Sequence, residues 1–127
     1  MDYYYSAVFC SDLDIVKSSV NSIIEELEEV FPTKEAALET RIILNELLIN
    51  GILHGNHCLR AKCIRLSVET IGGALFISVK DEGEGIEDCN EPNDELCTYG
   101  RGLAIVKRLT DSVVIEKNSI KVKKHFI

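Results

Sequence analysis

The apolar positions change period along the chain, and each change marks an element. Tyr3 to Phe9 is rich in aromatic and β-favouring residues and predicts a first strand. From Leu13 to Phe31, Leu13, Val16, Val20, Ile23, Ile24, Leu27 and Val30 recur at three- and four-residue steps. Lys17, Ser18, Glu25, Glu26, Glu28 and Glu29 lie between them, so a helix with one wet face is expected, capped by Ser11 or Asp12. Pro32 interrupts the pattern. Thr33 then caps a second helix, about Lys34 to His54, whose core side is read as Leu38, Ile42, Leu48, Ile49 and Ile52. Gly55-Asn56 is its expected stop, because both residues tolerate left-handed backbone angles.

The period then shortens to two. Ile64, Leu66 and Val68 alternate with Arg65, Ser67 and Glu69, and Leu75, Ile77 and Val79 continue beyond Gly72-Gly73, which predicts a half-buried hairpin. Asp81-Glu82-Gly83-Glu84-Gly85-Ile86 leaves the second strand as a glycine-dependent turn. Glu87 to Tyr99 has no period, contains Pro92, and reads as a functional loop. Gly100-Arg101-Gly102 ends it, and Leu103 to Thr110 follows as a short helix with Leu103, Val106 and Leu109 inward. Val113 to Lys117 and Ile120 to Phe126 complete a last hairpin around Lys117-Asn118-Ser119. The order βα, α, ββ, loop, α, ββ predicts one α+β domain over residues 1–127.

Composition narrows the partners. The 127 residues are 46% hydrophobic and 28% charged, an ordinary globular mixture. With 21 acidic against 14 basic residues the net charge is −7, which works against binding a nucleic-acid backbone. No apolar run is long enough for a membrane span, and Met1-Asp2-Tyr3-Tyr4-Tyr5 lacks the features of a secretory signal. A cytoplasmic protein is expected. The five cysteines show no C-x-x-C pair and no zinc spacing with the three histidines, which favours reduced thiols.

Three blocks stand out from this background. Glu46, Asn50 and His54 fall on one helical stripe, each about 6 Å of rise from the next, in otherwise apolar surroundings. Asp81-x-Gly83-x-Gly85 follows a strand, and Gly100-x-Gly102 precedes a helix. Singly each has a plainer reading: a bridge between elements, a turn, a loop end. Together they suit a nucleotide. Bare amides at a helix N-terminus attract phosphate oxygens, and Gly83 and Gly85 admit a flat ligand where side chains would clash. Asp81 offers an acceptor for an exocyclic amino group. Asn50 supplies a hard oxygen suited to Mg²⁺ beside phosphates, and Glu46 can orient or deprotonate an attacking group.

In order and spacing, NELLINGILHGN, DEGEGI and GRGLAIVKRLTD resemble the N, G1 and G2 boxes of the GHKL ATPase superfamily. This group includes gyrase-type ATPases, chaperones, mismatch-repair ATPases and sensor histidine kinases. The short build is most similar to the anti-sigma factor serine/threonine kinases of bacterial partner-switching systems. The resemblance runs from roughly Thr33 to the C-terminus. It implies a Bergerat-type two-layer α/β sandwich, with helices on one face of a mixed sheet. It further implies that Asn50 holds Mg²⁺ on ATP, that Glu46 is the catalytic base, and that Asp81 reads the adenine amino group. Gly83, Gly85 and Ile86 would shape the adenine pocket. Gly100, Arg101, Gly102 and Leu103 would contact the phosphates under a lid from Glu87 to Tyr99. His54 is expected to be a structural feature of the helix end. Two departures from the family pattern are the acidic lid and the turn at Asn118, which lacks a glycine.

The resemblance implies a kinase that sequesters a sigma factor and phosphorylates a STAS-type anti-anti-sigma protein. The alternatives are a nucleotide-holding sequestration module without turnover and a detached sensor-kinase catalytic domain. No nucleic acid or membrane is expected as a partner. A homodimer is, with the Tyr3-Tyr4-Tyr5 strand either pairing across it or covered internally. Lys107, Arg108, Lys121, Lys123 and Lys124 make the C-terminal third basic; most are read as facing solvent, with a rim for an acidic partner as the other reading.

Overall fold

The computed structural model describes residues 3–10, 12–51, 63–81, 98–116 and 118–125. Its elements are β1 (Tyr3–Cys10), α1 (Leu13–Glu26), α2 (Lys34–Asn50), β2 (Cys63–Ile71), β3 (Ala74–Lys80), α3 (Thr98–Leu109), β4 (Ser112–Glu116) and β5 (Ser119–His125). This is the order that the hydrophobic periods predict. The strands form one sheet in the order β1-β2-β3-β5-β4.

The α+β class and the helix-on-sheet arrangement agree with expectation, whereas the sheet is antiparallel rather than mixed. All four described ladders are antiparallel. The chain passes through α3 to β4 at the far edge, then turns back so that β5 lies between β4 and β3, antiparallel to both. The β2–β3 connection is a two-residue turn in which Gly72 and Gly73 both take positive φ, 56° and 81°. That is the type I′ arrangement, whose twist matches the flanking strands.

Strand parity builds the core. Phe9, Ile64, Leu66, Val68, Leu75, Ile77, Val79, Ile120 and Val122 bury one face of the sheet. Val16, Val20, Ile23 and Leu27 of the α1 region join the same cluster, with Ile43, Leu44, Leu47 and Leu48 from α2 and Leu103 and Val106 from α3. The other face keeps Tyr4, Val8, Phe76 and Val114 exposed, with Lys123 standing over the Phe76 ring at 5.6 Å. At the β1 edge the Tyr3 hydroxyl donates to the Glu26 carboxylate. Burial, and then that carboxylate, push the phenol's pKa above its ordinary value.

Caps and charges set the helix ends. Asp12 accepts from the Asp14 and Ile15 amides at 2.9 and 3.4 Å, so it, rather than Ser11, starts α1. Thr33 accepts from the Ala36 amide at 3.0 Å and starts α2 as predicted. Helix α1 stops at Glu26, five residues short of the expected Phe31, and its last turn contains no basic residue. Glu25, Glu26, Glu28 and Glu29 gather where the helix dipole is negative, which disfavours further turns.

The expectations for α2, α3 and Lys124 need correction. Helix α2 buries Ala36, Thr40, Ile43, Leu44, Leu47 and Leu48, whereas Leu38 is 58% exposed and Ile42 and Ile49 are half-buried. It packs against both α1 and α3, so its buried arc is rotated from the predicted one. Helix α3 begins at Thr98, not Leu103, and so takes in Gly100-Arg101-Gly102. Nor is Lys124 a solvent-facing lysine: its parity turns it inward with Ile120 and Val122. Its ammonium donates to the Leu109 carbonyl at the end of α3 at 2.6 Å and pairs with Glu39 of α2 at 2.7 Å.

Candidate functional site

The polar stripe of α2 is inward at its C-terminal end. Asn50 is 4% exposed, and its amide nitrogen has no hydrogen-bond partner. Among the described residues no other buried side-chain nitrogen or oxygen is left without one. Such an orphaned donor costs free energy, and in a native fold it calls for an acceptor, such as a ligand oxygen or a water. One turn earlier Glu46 is half-buried. Gly51 continues in helical geometry at φ −60° and ψ −42°.

Asp81 lies next to this helix end. It shares the parity of Leu75, Ile77 and Val79, so it projects toward the helices rather than the open face, and it is 2% exposed. A Cβ at Gly51 would stand 3.1 Å from the Ile64 Cδ1 and 3.8 Å from the Asp81 Cβ. The missing side chain at Gly51 therefore brings the α2 terminus and Asp81 together. From the other side, the Asn118 carbonyl accepts the Asp81 amide at 2.9 Å, and the Asn118 Nδ2 donates to the Asp81 carbonyl.

In the third block, the Gly100 amide falls in the first turn of α3, where no intrahelical carbonyl reaches it. That turn carries no acidic residue, while Lys107 and Arg108 lie in the last turn, so the dipole is complemented at the C-terminus and unopposed at the N-terminus. The Leu103 side chain is 1% exposed and belongs to the core, which leaves only its backbone for a ligand. Gly83, Gly85, Ile86, His54, Glu87 to Cys97 of the expected lid and the Arg101 side chain lie outside the described residues.

Residues 9–124 match the family described as the histidine kinase-like ATPase domain. The chain belongs to that family. Within the family it is similar to an anti-sigma F factor of Geobacillus kaustophilus (strain HTA426), 28% identical over 106 residues, which cover 74% of this chain and 73% of the relative. It also resembles an anti-sigma F factor of Clostridium perfringens (strain SM101 / Type A), 28% identical over 109 residues, 79% of this chain and 76% of that protein. A third relative, the anti-sigma F factor of Oceanobacillus iheyensis, is 28% identical over 104 residues, 76% and 69% of the two chains.

A histidine kinase-like ATPase domain implies ATP binding, and the orphaned Asn50 donor suits a ligand oxygen at this helix end. Among the described residues no three His, Cys, Asp or Glu side chains cluster to hold a metal by themselves. An ion here would depend on Asn50, phosphate oxygens and water, a sparse protein set of the kind Mg²⁺ accepts. No described helix is long and apolar enough to cross a membrane. Sequence reasoning missed Gly51 and Asn118 as neighbours of Asp81. The signal for Asn118 was visible as the turn without a glycine; none pointed to Gly51.

Proposed function

We propose that this protein is an ATP-dependent anti-sigma regulator with protein serine/threonine kinase activity toward an anti-anti-sigma partner of the STAS type. The observation that carries the reading is the buried Asn50 amide, its nitrogen unpartnered, at the α2 end whose Gly51 lies close to Asp81, with Glu46 one turn away. The family and the relatives named anti-sigma F factor support it.

In this reading Asn50 would hold Mg²⁺ through its Oδ1, and the first-turn amides of α3, with Gly100, Arg101 and Gly102, would receive phosphate oxygens. The Asp81 carboxylate accepts from the adenine amino group, with Gly83, Gly85 and Ile86 lining the base pocket. Bound MgATP would supply the phosphoryl group, with ADP as the leaving group, and the charge neutralisation that its transfer needs. The Glu46 carboxylate takes the proton of the partner's serine hydroxyl. Among the described residues no hydrogen bond or ion pair engages Glu46, so that carboxylate is available for the task. The proposal extends to one cytoplasmic domain over residues 1–127, a homodimer, and a sigma factor as the sequestered partner.

The test is incubation with ATP and STAS-type proteins, for the wild type and for Glu46→Gln. Transfer to serine or threonine that disappears in Glu46→Gln, with ATP binding retained, is the expected result. ATP binding and sigma-factor sequestration without any transfer would replace the kinase with a nucleotide-held sequestration module. Transfer only to a histidine on a partner's dimerisation helices would make the chain a detached sensor-kinase domain.

A further inference from the structure

The β3–β5 ladder ends at the pair Lys80 and Ser119. Asp81 lies one residue beyond it, and Asn118 bonds both of its peptide groups. Its carbonyl accepts the Asp81 amide at 2.9 Å, and its Nδ2 donates to the Asp81 carbonyl. The side-chain amide stands in for a backbone N–H, a substitution to which asparagine is suited. Both peptide groups of Asp81 are thereby fixed, while Gly51 stands close to its side chain from the helix side. A glycine or alanine at 118 retains only the carbonyl half of this clamp. Aspartate retains no donor and adds a second carboxylate.

We infer that Asn118 is a positioning residue for base recognition: it extends the sheet by one residue and so aims the Asp81 carboxylate at the amino group of the bound purine. The inference rests on the reading of Asp81 as the group that accepts from the adenine amino group. A carboxylate discriminates by a hydrogen bond whose strength falls steeply with misalignment, so loosening its backbone weakens that contact selectively. An asparagine serving only to form the hairpin would have no such selectivity.

The experiment compares binding of ATP and of purine riboside triphosphate, which lacks the 6-amino group. Titration calorimetry is performed on the wild type, Asn118→Ala and Asn118→Gly, below their melting temperatures. Asn118→Gly preserves a turn-compatible residue and serves as the variant that folds if alanine strains the hairpin. The wild type is expected to prefer ATP. Both variants should bind ATP about threefold to tenfold more weakly, a partial loss of one charge-assisted hydrogen bond, and bind the amino-free analogue unchanged. Variants that keep the wild-type preference for ATP, whatever their overall affinity, overturn the role of Asn118. A wild type that binds the two nucleotides equally instead removes the adenine-reading role of Asp81, and this inference falls with it.

Discussion

Truncating a fully buried side chain ordinarily destabilises a protein, and at Asn50 the opposite sign is expected. The residue is 4% exposed and its Nδ2 has no partner, so the folded state carries an unpaid desolvation cost of about 1–3 kcal/mol. Asn50→Ala removes that cost. It also gains helix propensity, about 0.5 kcal/mol near the end of α2. Against this stands the packing of the amide's heavy atoms, about 1–2 kcal/mol if the site does not collapse. The balance runs from a loss of about 0.5 kcal/mol to a gain of about 2.5 kcal/mol, centred on added stability. Urea denaturation, with the slope checked for constancy, measures it. Calorimetry with ATP, with and without Mg²⁺, measures the other half, and the Mg²⁺-dependent part of binding should disappear in the variant. A loss of more than about 1 kcal/mol on truncation would mean that Asn50 is a structural residue whose orphaned state has been misread. Magnesium-dependent binding that survives the substitution would refute its role as a metal ligand.

Lys124→Met keeps most of the apolar stem and removes the charge that caps α3 and pairs with Glu39, with an expected cost of about 2 kcal/mol by chemical denaturation. Glu39→Gln should cost less than about 1 kcal/mol, because that carboxylate is the more exposed partner; equal costs would contradict this division. Asp111 has its carboxyl pKa lowered, chiefly by the hydrogen bond with the His125 ring and then by the His125 amide. A depressed carboxyl contributes stability above its unfolded pKa of about 3.9 and loses it as pH falls through the folded value. The wild type should therefore hold a small advantage over Asp111→Asn in urea midpoint at neutral pH, narrowing on acidification; an advantage that grows in acid has the wrong sign.

Where periodicity was strong, the sequence was readable. The order of the eight described elements, the Gly72-Gly73 hairpin and the Thr33 cap follow from local pattern. Helix α2 was harder, because its apolar residues lie almost all the way round and three neighbours compete for them. Leu38 was placed in the core on spacing alone, yet that side faces solvent. Helix α3 was begun too late because glycines suggest loops, although a first helical turn tolerates them where tertiary packing holds the rest. Lys124 seemed an exposed lysine until strand parity turned it inward. At the site, Glu46, Asn50 and Asp81 could be singled out because polar residues in apolar or turn settings attract notice. Gly51 and Asn118 could not be linked to Asp81, since only the packing of α2 on the sheet and the β3–β5 register bring residues so distant in sequence to one point.

The Gly72-Gly73 turn has a further consequence, for how the chain can change length. Asp81 is the seventh residue after Ala74, and a strand side chain reverses face at every step. The turn thus acts as the zero mark of a ruler with Asp81 at its far end. A single inserted or deleted residue between them sends the carboxylate to the open face, or breaks the ladder with β5 to prevent it. Gains or losses in pairs retain its face, though not its distance from Gly51 and Asn118. Substitutions along β3 can be absorbed one at a time, but its length is a fixed count.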